Sequence, residues 1–242
     1  GAAYATIAGF FIAILMALWL IKGARLQINP TAIRECDLGA SSKAILSVAG
    51  PAAFSNAINP IGLSVLTALL ASQGQAAVAG FGAAGRLQSF AVVPLLALSG
   101  SIGAIVGQNW GARQADRSRR AMWWSGLFCI GYGLAIALVL YFTGDWFADI
   151  FTDDPAVIEE FSRYLKISVW GYAGFGLLIV ANGALNAVDK AGYALAQSAA
   201  RVFLVMLPFG WILRAQWGSS AIYAAELVAN LAVWVNRTTD SR

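Results

Sequence analysis

The chain has 242 residues, of which 59% are apolar and 12% are charged, against roughly a quarter charged in an ordinary soluble domain. The net charge of +4 and the two cysteines, Cys36 and Cys129, are too dispersed for a nucleic-acid face or a disulfide framework. There is no histidine, and no His-Glu-x-x-His, Gly-x-Ser-x-Gly, Cys-x-x-Cys or phosphate-binding loop, so no enzyme, catalytic residue, metal site or cofactor is expected.

Apolar runs able to cross a hydrocarbon layer of about 30 Å occupy seven stretches, approximately 1–21, 45–72, 77–106, 121–142, 161–183, 195–213 and 219–236. Backbone polar groups in lipid must be paired internally, and the runs lack the alternation of a membrane barrel. The expected fold is therefore all-α, a polytopic membrane bundle of about seven transmembrane helices. The first run has no basic region before it and is followed by Lys22 and Arg25, which reads as a span and not a cleaved leader. The chain opens without methionine, directly in lipid-phase sequence, and a fragment is expected. Residues 22–44 read as a cytoplasmic linker, with Asn29 and Pro30 turning the chain before a short amphipathic helix at about 31–38.

In the second run, Pro51-Ala-Ala-Phe-Ser-Asn-Ala-Ile-Asn-Pro60 places Asn56 and Asn59 on one helix face. Pro60 cannot donate to the carbonyl of Asn56, so amides and a freed carbonyl gather near mid-membrane. Their partner is left open between a neighbouring helix, water and cargo. The third run repeats the pattern: Pro94 frees the carbonyl of Phe90, with Gln88 and Ser89 close by. Two helices broken in this way read as a flexible cavity wall. Ser99, Gly103, Gly107 and Gly111 form a ridge of small residues that lets another helix backbone approach closely.

Between the fourth and fifth runs the connection 143–160 is acidic. Asp154 and Pro155 read as a helix start in which the carboxylate caps orphan N–H groups, with Glu159 and Glu160 near the positive end of the dipole. Two charges read as intramembrane, Arg86 and Glu226, about nine and about seven residues from the external ends of their helices, which at about 1.5 Å per residue puts both in the outer half. Their similar depth predicts that they pair, and whether the pair is structural or functional is left open. Asn230, one turn below Glu226, makes the same face polar.

Basic residues sort onto alternate connections: Lys22, Arg25, Arg34 and Lys43; Arg113, Arg117, Arg119 and Arg120; Lys190 and Arg201; and Arg237 and Arg242 at the tail 237–242. Arg163, Lys166 and Arg214 lie on the other side. Basic loops stay inside, which predicts a multi-pass protein of the cell (inner) membrane with a cytoplasmic carboxyl terminus and the Gly1 end outside.

The phrases Ser47-Val-Ala-Gly-Pro51, Asn59-Pro-Ile-Gly-Leu63, Ala79-Gly-Phe-Gly-Ala-Ala-Gly-Arg86, Pro94-Leu-Leu-Ala-Leu98, Val106-Gly-Gln-Asn-Trp-Gly-Ala112 and Phe151-Thr-Asp-Asp-Pro155 resemble, in order and spacing, the carboxyl-terminal half of multidrug and toxic compound extrusion (MATE) transporters. The resemblance implies that residues 1–21 are the last helix of a missing amino-terminal lobe, that 22–44 link two lobes, and that 45–236 form the carboxyl-terminal six-helix lobe. It further implies antiport, in which entry of H⁺ or Na⁺ drives export of small organic cations or amphipathic compounds by alternating access. Candidate cavity residues are Asn56, Asn59, Pro60, Arg86, Gln88, Pro94, Glu226 and Asn230. The sequence departs from the family where some members carry acids: the seventh-helix glutamate position is Asn59, and the tenth-helix aspartate position falls at Phe175. A flippase for lipid-linked precursors and a truncated half without activity are the alternative readings.

Overall fold

The computed structural model describes residues 2–23 and 37–235; the expected helix at about 31–38 and the basic residues Arg25, Arg34, Arg237 and Arg242 fall largely outside them. The described chain is helical, and its only breaks are short turns. Two compact units divide at residues 44 and 45. The first contains α1 (Ala2–Gly23), an apolar helix followed by undescribed sequence.

The second unit contains most of α2 (Leu38–Ala71), then α3 (Gln75–Gly111), α4 (Ala115–Phe151), α5 (Pro155–Ser168), α6 (Tyr172–Ala187), α7 (Ala191–Ala199), α8 (Leu207–Trp217) and α9 (Ser219–Val235). A 3₁₀ turn at Val169–Gly171 joins α5 to α6, and a π-helical turn at Ala200–Met206 joins α7 to α8. Five stretches, Leu38–Ala71, Gln75–Gly111, Ala115–Phe151, Pro155–Ala187 and Ala191–Trp217, are long and apolar enough to cross a membrane. The expected runs at either end are shorter apolar helices, Thr6–Lys22 and α9.

Local chemistry sets the punctuation. Asp154 takes the N-cap of α5, its Oδ1 accepting from the Ala156 amide at 2.9 Å, with Pro155 opening the helix. Gly74 and Gly218 turn the chain at the acidic end with positive φ, a conformation that costs glycine little. At the basic end Arg113 and Asp189 adopt the left-handed region (φ 57° and 62°) without that licence.

The prolines do not break the helices. Pro51 and Pro60 lie inside an unbroken α2 and Pro94 inside an unbroken α3, which corrects the expectation of two broken helices; each such proline removes one hydrogen bond and the ladder resumes beyond it. The pronounced irregularity is the π-turn. Its end is marked by the Leu207 amide, which bonds back to the Val202 carbonyl, just before Pro208, a residue unable to donate to the carbonyl of Leu204. The widened turn accommodates that loss.

The exterior is lipid-like, with Phe142 77%, Phe90 75% and Leu204 75% exposed. The interior is close-packed where small residues meet. A Cβ on Gly103 would lie 3.2 Å from the Gly183 carbonyl oxygen and one on Gly107 3.3 Å from that of Ala187, while Ser99 Oγ donates to the Ile179 carbonyl at 2.8 Å. The small-residue ridge thus seats α6 directly on α3.

Candidate functional site

Among the described residues only two charged side chains are buried, Arg201 and Glu226, each 4% exposed. Arg201 was expected among the loop charges. It lies instead inside the bundle, because α7 begins at Ala191 and ten residues at about 1.5 Å each carry Arg201 about 15 Å past the turn, half the thickness of a hydrocarbon layer. The π-turn displays its guanidinium between two amides: Nη1 donates to Asn230 Oδ1 on α9 at 2.5 Å, and Nη2 donates to Asn59 Oδ1 on α2. The guanidinium carbon lies 5.2 Å from the centre of the Phe175 ring, within cation–π range.

Glu226 does not pair with Arg86. Its Oε1 accepts from Gln88 Nε2 at 2.6 Å and its Oε2 from the Tyr164 hydroxyl at 2.8 Å. Arg86 is exposed and forms no ion pair among the described residues. Two residues at about 100° each separate Arg86 from Gln88, so when Gln88 faces α9 Arg86 faces away. Depth along a helix leaves the angle around it open, and here that angle turns Gln88, not Arg86, toward Glu226.

Two cavities meet at Arg201. One, of about 540 Å³, is walled by Asn56, Asn59 and Pro60 of α2, Gly82, Gly85, Gln88 and Ser89 of α3, Phe175 and Asn182 of α6, and Ser198 and Arg201. The other, of about 1270 Å³, lies toward the basic end and includes Trp110, Arg119, Lys190, Tyr193, Gln197 and Arg201. Of the expected cavity residues, Asn56, Asn59, Pro60 and Gln88 line the smaller cavity. Glu226 and Asn230 stand one contact behind it, through Gln88 and Arg201. Arg86 and Pro94 are exposed and line neither.

Several polar members had no distinct signal in the sequence. Ser55 and Ser198 share a hydrogen bond of 2.9 Å, Asn182 Nδ2 donates to Ser198 Oγ at 3.0 Å, and Ser55 Oγ also reaches the Ala194 carbonyl. These residues bind α2, α6 and α7 along one edge of the cavity. Arg201 did have a signal: a cation well past the Asp189-Lys190 turn and just before a mid-span proline. The acidic end is closed by a clamp in which Arg163 bridges Glu159 and Glu160 at 2.5 Å each and donates to Ser219, while the Tyr223 hydroxyl donates to Glu160 at 2.7 Å.

An apolar helical exterior around cavities with a few polar groups in their walls, with Arg201 at the wall and Glu226 one contact behind it, fits a lobe of a membrane transporter. A family model described as MatE matches residues 51–212, and the chain belongs to that family, whose members are transporters and not enzymes. It is 32% identical over 208 residues to an FAD transporter of Shewanella oneidensis, covering 86% of this chain and 46% of the relative. A probable multidrug resistance protein of Bacillus subtilis, YpnP, is 26% identical over 92% of this chain and 49% of its own length. Among solved structures, a mutant of the Vibrio cholerae MATE transporter VcmN superposes with a TM-score of 0.88 at 28% identity, over 100% of this chain and 56% of that one. The chain spans about half the length of the relatives it matches.

Proposed function

We propose that the protein takes part in ion-coupled export of amphipathic organic compounds by alternating access, with H⁺ or Na⁺ as the driving ion and cargo seated against the smaller cavity. The observation that carries this reading is the wall formed by Asn56, Asn59, Gln88 and Arg201, a set of hydrogen-bonding groups set into an otherwise lipid-facing bundle. Amides and an aromatic face such as Phe175 grip organic rings without demanding one chemical class, and alternating access requires only that the ion and the cargo prefer different states. The excess of basic residues at the α3–α4 and α6–α7 turns, Arg113, Arg117, Arg119, Arg120 and Lys190, favours placing those turns in the cytoplasm of a cell (inner) membrane, with the carboxyl terminus inside and the Gly1 end outside.

A second reading, an anionic aromatic cargo, is favoured by one observation: the charged group common to both cavities is the guanidinium of Arg201. Guanidinium suits carboxylate and phosphate, and the Shewanella oneidensis relative is described as an FAD transporter. The test is uptake into proteoliposomes carrying the full-length protein, with a pH or Na⁺ gradient imposed and either a cationic dye or FAD outside. Gradient-driven accumulation of the dye supports the first reading and of FAD the second. Transfer of a lipid-linked precursor instead, or no transport of any of them, overturns both.

A further inference from the structure

We propose that Glu226 is a proton-binding site of this lobe, completed by Gln88 and Tyr164. The proposal rests on the ion-coupled reading above and names the ion and the residue.

The three side chains close a ring. Gln88 Nε2 lies 2.6 Å from Glu226 Oε1, the Tyr164 oxygen 2.8 Å from Glu226 Oε2, and the same Tyr164 oxygen 3.1 Å from Gln88 Oε1. Three contacts need three hydrogens. With an ionised carboxylate the ring holds two, one from the amide and one from the phenol, and the single phenolic hydrogen serves both oxygens only by being shared in a weaker three-centre bond. A proton added at Glu226 Oε2 supplies the third: the carboxyl donates to the Tyr164 oxygen, the phenol turns to Gln88 Oε1, and every contact holds one hydrogen. The step forms one O–H bond and breaks none within the protein. Sodium does not complete the ring, because Gln88 presents its NH₂ to the carboxylate where a metal ion needs oxygen.

No other side chain supplies the missing hydrogen. Ser168, beside Tyr164, donates to the Tyr223 carbonyl at 3.1 Å and is also within hydrogen-bond reach of the Tyr164 hydroxyl, but a hydrogen given to that oxygen does not lie between it and Gln88 Oε1; Tyr223, one turn along α9, donates to Glu160. From α6 the buried Tyr172 is close enough to feel the charge of Glu226, but its hydroxyl has no hydrogen-bond partner. From the π-turn Arg201 also feels that charge while its guanidinium is held by Asn59 and Asn230.

The charge balance gives the site a consequence at the cavity. With Glu226 ionised, the two buried charges of the lobe cancel. With Glu226 protonated, Arg201 leaves one positive charge at the cavity wall, which disfavours an organic cation and favours an anion. Proton loading therefore exchanges for a cationic cargo and accompanies an anionic one.

The experiment uses the full-length protein in liposomes and two readouts. Infrared difference spectra between acid and alkaline pH should contain a protonated carboxyl C=O band that Glu226→Gln removes and Tyr164→Phe shifts. In transport, Glu226→Gln should lower pH-gradient-driven uptake by at least about tenfold, and the cargo-for-cargo counterflow that remains should no longer vary with pH. The proposal is overturned by a carboxyl band that survives Glu226→Gln, by gradient-driven uptake within about twofold of wild type, or by a Glu226-dependent uptake that follows Na⁺ at fixed pH. Should Glu226→Gln prove unstable, Tyr164→Phe decides: an unmoved band overturns the site. If wild type moves no cargo, the transport reading fails and the carboxyl band still tests the proton site.

Discussion

The contact of α6 with α3 and α9 is made backbone to backbone, whereas the wall between α2 and the π-turn is made through side chains. In the first, a Cβ on Gly183 would come within 2.6 Å of the Ser99 carbonyl oxygen and one on Gly174 would collide with the carbonyl oxygen of Asn230. In the second, Arg201 reaches both Asn59 and Asn230 and leaves its Nε without a partner. Close backbone contact has one solution, since interiors are packed near crystal density and admit no extra methyl. A guanidinium between amide oxygens has several, because the fork can change partners without moving a helix. The fold thus fixes α3, α6 and α9 and leaves the adaptable chemistry at the cavity.

Substitutions should separate the two regions, and the largest effect is expected where they meet. Arg201→Met keeps most of the volume but leaves the Asn59 and Asn230 oxygens without their donor, a loss of about 3–5 kcal/mol for two hydrogen bonds from a charged group at about 1.5–3 kcal/mol each. Unfolding in mixed micelles should register it, and Arg201→Lys should recover only part, since an ammonium cannot span both amides. Gly174→Ala should cost about 3 kcal/mol by overpacking against the α9 backbone, read by the same unfolding titration; a loss below about 0.5 kcal/mol would mean the contact is looser than described. Gly85→Leu belongs to the other region: Gly85 lines the smaller cavity, and a Cβ there meets nothing within 4 Å. Stability should stay within about 0.5 kcal/mol, while uptake of a bulky cargo should drop about tenfold through lost space. Arg86→Gln, at an exposed site outside both regions, should change unfolding by less than about 0.5 kcal/mol and leave uptake unaltered.

The sequence made the backbone-to-backbone region far more legible than the cavity wall. Length of apolar run is enough to call a helix in lipid, the spacing of Ser99, Gly103 and Gly107 marks a face where another backbone can lie, and Asp154-Pro155 is a start signal whose physics is local. The wall depends on which way each side chain points, and that is not local. Asn59 and Gln88 were legible because an amide in an apolar run must find a partner. Arg201 carries a signal in its distance past the turn, but a basic residue that follows a turn reads equally as a topology charge until the depth of its helix is known. Glu226 was found and given the wrong partner because depth along a helix says nothing about angle around it. Pro60 and Pro94 sit inside helices that continue through them, while the widened turn stands beside Pro208, and the apolar pattern does not tell the three apart.

The central claim, that the cavity walled by α2 and α3 receives cargo, is tested most directly by thiol labelling. In full-length protein with Cys36 and Cys129 replaced, Asn56→Cys should react with a water-soluble maleimide, and a transported cargo should slow that reaction several-fold while leaving unchanged a control cysteine placed at the exposed Phe142. Labelling of Asn56→Cys that ignores cargo, or that matches the control in rate and in protection, would contradict the account.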